Sequence, residues 1–100
     1  MYGTVARMRV KPGMGTQLEQ LSQEYESLDV DGHVATYVFQ LDSGPDDDYL
    51  IAIFRDRESY TANAVDPAQD ERFRRMRDVL AEEPNWHDGE VAWSMVRPSA

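Results

Sequence analysis

Residues 2–10 alternate in character. Tyr2, Thr4, Ala6, Met8 and Val10 fall on one side of an extended chain, with Val5, Arg7 and Arg9 on the other. A period of two predicts a strand. The stretch KPGMG (Lys11–Gly15) breaks it with one proline and two glycines. Thr16 followed by Glu19 has the form of a capping box, in which each side chain satisfies an orphan backbone N–H. Leu18, Leu21, Tyr25 and Leu28 then recur three and four apart, on one face of a helix.

After Gly32, residues His33 to Leu41 are rich in β-branched and aromatic types and predict a second strand. DSGPDDD (Asp42–Asp48) has the composition of a turn, and Tyr49 to Arg55 predicts a third strand. Asp56 is placed to cap a short helix reaching about Val65. Asp66 is placed to cap another, with Pro67 at the first helical position, where its missing N–H costs nothing. Phe73, Met76 and Leu80 form the apolar face of that helix, and Pro84 is expected to end it. Glu90 to Val96 alternates again and predicts a fourth strand.

The predicted order is β-α-β-β-α-β, an α+β ferredoxin-like arrangement: a four-stranded antiparallel sheet with the helices on one face. Residues 1–100 read as one such domain. In strand three, Tyr49, Ile51 and Ile53 are expected to face the helices. Leu50, Ala52 and Phe54 then face away, and are just as apolar. A sheet apolar on both faces needs cover on both. The chain has no further layer to supply, so a second copy packed sheet against sheet, a homodimer, is expected.

Charge narrows the partners. The formal net charge of -9 disfavours nucleic acid, whose phosphates need clustered Lys and Arg, and disfavours anionic membrane surfaces. No cysteine is present, which removes disulfides, thiolate nucleophiles and Cys-based metal sites together. No apolar run approaches the roughly 20 residues that span a bilayer, and no signal peptide is expected ahead of the first strand. A cytoplasmic protein is the expectation.

The chain crowds His, Asp, Glu and Trp together only in NWHDGE (Asn85–Glu90). A metal at His87 needs converging ligands. Asp88 points away from it in extended chain, and His33 belongs to the opposite edge strand, about three strand spacings or roughly 14 Å distant. The stretch is therefore expected to be a strand entrance, with a barrel-mouth role for His87 or Trp86 as the alternative. Trp86 covers the helix end, Asp88-Gly89 turns the chain, and the strand follows. No metal or other cofactor is expected.

The VKPG that closes the first strand, the helix, DGHVATYVF, the acidic turn and DYLIAIFRDRESY together resemble the antibiotic biosynthesis monooxygenase family, over roughly residues 2 to 80. The resemblance implies a dimeric α+β barrel, with ligands held between sheet and helices or in the barrel mouth. The haem-degrading branch of that family uses an Asn on strand one, a Trp ending strand three and a His on the second helical segment. Here those positions fall near Ala6, Phe54 and Val65, so the axial ligand that haem needs is missing.

The branch that oxidises polycyclic phenols without cofactor is more similar. Its substrate contacts include a strand-three Asn and Trp, a Tyr opening the next helix and an Arg further along. The spacing here offers Leu50, Phe54, Tyr60 and Arg74. The resemblance thus implies Tyr60 and Arg74 as catalytic residues, with Phe54, Leu50 and Tyr37 as contacts to a small aromatic or polyketide-like substrate. The bland alternatives are a core-capping aromatic for Tyr60 and an i,i+4 ion pair on a solvated face for Arg74. A non-catalytic dimeric binding or interaction module, or a related cyclase or isomerase, competes with the monooxygenase reading.

Overall fold

Strand β1, Tyr2–Arg9, is the centre of the architecture because it pairs on both sides. It is followed by α1 (Gly15–Glu26), β2 (His33–Gln40), β3 (Asp47–Phe54), α2 (Arg57–Ala64), α3 (Pro67–Arg77) and β4 (Asn85–Glu90). The computed structural model describes residues 1–44 and 46–98. The four strands form one antiparallel sheet in the order β2-β3-β1-β4. This is the ferredoxin-like α+β fold that the element order predicts. Among the described residues no helix is long and apolar enough to cross a membrane.

Local chemistry explains most boundaries. Asp56 accepts the Ser59 backbone N–H at 2.8 Å and caps α2, and Asp66 accepts that of Ala68 at 2.8 Å and caps α3, with Pro67 next to it. The Thr16/Glu19 box does not form. Helix α1 begins earlier, at Gly15 after Met14, without a side-chain cap, so Thr16 already lies inside the helix. Leu28 falls beyond α1 and is exposed. The acidic turn is shorter than predicted because Asp47 and Asp48 already pair in β3; Pro45 of that turn lies outside the described residues.

Strand four differs more. It is NWHDGE itself, not the segment from Glu90 to Val96. The reason lies upstream. Helix α3 stops at Arg77, ahead of Pro84, and Val79–Ala81 bond to the end of β1: Lys11 N–H to the Val79 carbonyl at 2.9 Å and Ala81 N–H to that of Arg9 at 2.7 Å. The chain is therefore already alongside β1, and Asn85 falls opposite Arg7. Pairing proceeds to Glu90 opposite Tyr2. Asp88-Gly89 is ladder, not turn. Val91 makes the final bond, to the Met1 carbonyl, and Trp93, Met95 and Val96 stand exposed beyond it.

The phase of the sheet also differs. Leu50, Ala52 and Phe54 face the helices, whereas Tyr49, Ile51 and Ile53 face away. Directly opposed residues share a face, and Leu50 is opposite Ala6, Ala52 opposite Thr4, and Phe54 opposite Tyr2. The side of β1 that carries Ala6 and Met8 is buried under helices, and it takes its partners with it. On the open face Tyr37 and Phe39 are 60% and 58% exposed, beside Val5, Ile51 and Ile53. Arg7 and Arg9 lie on the same face, Arg9 within 3.3 Å of Asp47.

The packed core fills only one end of the helix-covered face. Met8, Val10, Leu18, Val79 and Leu80 are buried together, with Met14, Leu21, Leu50 and Met76 against them. The other end is hollow.

Candidate active-site cavity

The hollow end is a cavity of about 980 Å³ between the sheet and the three helices. Its size lies within the range of small-molecule sites. Thr4, Ala52 and Phe54 form the floor, α1 and α3 the roof, and Trp86 and Asp88 of β4 one side. Phe73 of α3 meets Trp86 with ring centroids 5.7 Å apart, closing the gap between helix and edge strand.

A chain of aromatic rings lines one wall. Tyr25 meets His33 edge-on at 5.5 Å, His33 meets Phe54 at 5.4 Å, Phe54 meets Tyr60 at 5.6 Å, and Tyr60 meets Tyr2 at 5.2 Å. Each edge-to-face contact contributes about 0.5–1.5 kcal/mol beyond burial, so the wall is preformed. Two backbone devices place His33 in it. Gly32 has φ +77°, and a Cβ there would come within 2.4 Å of Ser59 in α2. The pairing register then shifts between His33 and Ala35, a β-bulge of the kind that re-aims side chains. His33 and Thr36 consequently share the cavity side, and the His33 Nε2 lies 2.6 Å from the Thr36 hydroxyl.

The polar groups gather at the opposite end. The Tyr60 hydroxyl donates to Asp88 Oδ1 at 2.9 Å. Burial, and then the hydrogen bond to the Asp88 carboxylate and its charge, push the Tyr60 phenol up to about 12. It therefore stays protonated at neutral pH and acts as a donor. Thr4 lies next to the phenol, close enough to oppose that rise, yet its buried hydroxyl completes no hydrogen bond among the described residues. A buried, unpaired hydroxyl costs about 1–3 kcal/mol. Here it faces a cavity.

Cations come from α3. Arg72 Nε bonds to Gln69 at 2.9 Å, and its guanidinium sits 5.6 Å from the Tyr25 ring centroid. Burial pushes the Tyr25 phenol up and Arg72 partly offsets this. Arg75 pairs with Glu24 and ties α3 to α1. Both arginines line the cavity.

Of the residues expected at a site, Tyr60, Phe54 and Leu50 are brought together here. Arg74 is outside, its guanidinium 3.0 Å from Asp70 on the same helix. Tyr37 is on the open face of the sheet, opposite Ile51. His87 lies on that open face too, opposite Val5, so the two histidines occupy opposite faces as well as opposite edges. Among the described residues no three His, Asp or Glu side chains gather as a metal site. Sequence reading misses Thr4, His33, Arg72 and Asp88. For Asp88 the signal was present but outweighed: the apolar alternation after Glu90 drew the strand one segment too late.

Solved structures of low sequence identity share this fold. SnoaB, a cofactor-independent oxygenase from Streptomyces nogalater, superposes with a TM-score of 0.81 at 11% identity, over 96% of this chain and 97% of its own. A candidate antibiotic biosynthesis monooxygenase from Chloroflexus aurantiacus gives 0.78 at 22% identity, over 95% and 96%. A conserved protein from Methanosarcina mazei gives 0.77 at 20%, over 88% and 89%. No curated protein matches the chain in sequence. The sequence profile described as antibiotic biosynthesis monooxygenase matches residues 1–69, most of the chain, and with the fold around this cavity it settles the family. The chain belongs to the antibiotic biosynthesis monooxygenase family.

Proposed function

We propose that the protein is a cofactor-independent monooxygenase that oxidises a small, electron-rich phenol of the anthrone or hydroquinone type. One observation carries the reading: a ring-lined cavity whose polar groups, Thr4, Tyr60 and Asp88, converge at one end. The aromatic wall from Tyr25 to Tyr60 suits a planar ring system. Protonated Tyr60 and the Thr4 hydroxyl suit a developing oxyanion at that end, and the Arg72 cation lines the cavity beside Tyr25. The oxygenase named among the similar folds supports the same class.

In this reaction an anthrone's methylene becomes a carbonyl. The substrate anion reduces dioxygen, a C–O bond forms, and the peroxide loses water. One oxygen atom ends in the quinone and the other in water, so four electrons leave the substrate and four enter dioxygen. The protein holds the anion and keeps bulk water away. Oxygen uptake with a panel of anthrones and hydroquinones tests this. Faster uptake with protein than in buffer, with one quinone formed per dioxygen for an anthrone, is the expected result. No acceleration across the panel rejects the enzyme reading in favour of a binding module.

The open sheet face belongs to the same proposal. Tyr37, Phe39 and Val5 are exposed on this face beside Ile51, and Trp93, Met95 and Val96 are exposed as well. A second copy, sheet to sheet, covers this face and leaves both cavities on the outer, helical sides.

A further inference from the structure

Resting on the oxygenase reading, we propose that Asp88 is the base that takes the substrate's proton, with Tyr60 holding its carboxylate at the cavity end. Other cavity groups are less suited. Glu24 and Asp70 are tied to Arg75 and Arg74. Glu19 and Glu26 stand exposed on α1 with no donor orienting them among the described residues. His33 has Nε2 engaged with Thr36. Tyr25 and Tyr60 both ionise above the usual phenol range and remain acids.

Asp88 combines three properties. Its Oδ1 is fixed by the Tyr60 hydroxyl at 2.9 Å, and its Oδ2 makes no bond among the described residues. It is exposed at the end of the cavity, where a ligand can reach it. Opposite it across the ladder stands Thr4, whose buried hydroxyl lies beside the Tyr60 phenol, completes no hydrogen bond among the described residues and is placed to donate to the same ligand. A carboxylate acceptor beside a hydroxyl donor matches a C–H or O–H acid next to a carbonyl oxygen.

The step balances without another reagent. The substrate's C–H or O–H bond breaks heterolytically; the proton passes to Asp88 Oδ2 and the electron pair stays on the conjugated substrate. Neutralised Asp88 attracts the Tyr60 hydrogen less, so that hydrogen can turn toward the new oxyanion. After dioxygen has added, Asp88 returns the proton to the peroxide oxygen.

Asp88→Ala, Asp88→Asn and a Glu90→Gln control separate this proposal from the one it rests on. Without oxygen, an anthrone-type probe bound to the parent protein should show the absorption band of its anion. Asp88→Ala should bind the probe, seen by Trp86 quenching, without that band. Added formate or acetate should restore the band in Asp88→Ala but not in the bulkier Asp88→Asn. In oxygen, both Asp88 variants should lose at least tenfold in rate and Glu90→Gln should match the parent. A parent that ionises or oxidises the probe while Asp88→Asn does so equally well overturns Asp88 and leaves the oxygenase reading standing. A parent that neither ionises nor oxidises any probe overturns both. Loss of the band without carboxylate rescue also overturns the base, because a merely structural Asp88 would give that result.

Discussion

Thr4 and Asp88 sit directly opposite each other on β1 and β4 and send both side chains into the cavity. Antiparallel pairing makes them a donor–acceptor pair from opposite ends of the chain. Thr4→Val replaces the unpaired hydroxyl with a methyl of similar size. Relief of the desolvation cost, about 1–3 kcal/mol, should raise the thermal midpoint while oxygen uptake falls. A variant both less stable and fully active contradicts the assignment of that hydroxyl to ligand binding.

Tyr60 should titrate late. An alkaline titration followed by tyrosinate absorbance should show one phenol ionising near 12, absent in Tyr60→Phe and shifted down in Asp88→Asn, which removes the negative charge. The sign for stability follows from linkage. The folded value is raised, so the contribution is full below the ordinary value of 10.0 and is lost as pH rises through about 12. Alkaline unfolding of Tyr60→Phe should therefore depend less steeply on pH in that window.

The two faces of β3 should respond differently to substitution. Ile51→Asp puts an unpaired carboxylate on the proposed sheet-to-sheet interface and should leave a particle of one 11.5 kDa chain where the parent sediments as two. Phe54→Ala, on the buried cavity side, should cost about 3 kcal/mol without changing the sedimenting mass. Dissociation by the second variant but not the first would reverse the assignment of faces.

Asp48 is a buried carboxylate opposite Met8, its Oδ1 without a partner among the described residues. Burial first, then the nearby Asp46 and Asp47, hold its proton above the ordinary value of 3.8. A raised folded value gives a contribution that is full below 3.8 and lost as pH rises through the folded value. Asp48→Asn should thus raise the urea midpoint at neutral pH and give no such gain in acid. An equal effect at both ends of the pH range contradicts the electrostatic origin.

The α3 arginines can be separated by function. Arg72 faces the cavity over Tyr25, while Arg74 is solvated and paired with Asp70. Arg72→Gln should weaken probe binding or oxygen uptake by about tenfold, a loss of roughly 1.4 kcal/mol. Arg74→Gln should stay near the parent, as expected for an exposed helical pair contributing about 0.3–0.5 kcal/mol. The reverse result would restore Arg74, the arginine singled out by spacing, to the site.

Local patterns determined the element types. The alternation in Tyr2–Val10, the capping carboxylates Asp56 and Asp66, and Pro67 act within a few residues, so they are legible in the chain itself. Tyr60 is named by the family resemblance alone, and the cavity includes it. Tertiary structure decided the rest. Strand β3 is apolar on both sides, so its own pattern cannot choose a face; pairing with β1 makes the choice and puts Leu50 and Phe54 under the helices. The start of β4 depends on Val79–Ala81 bonding to Arg9 and Lys11, a contact between distant segments that no local window contains. That one register turns Asp88 from a presumed turn residue into the partner of Tyr60, and it selects Arg72 over Arg74 no more than spacing could. The arginine choice rests on how α3 rotates against the sheet, which side-chain packing alone fixes.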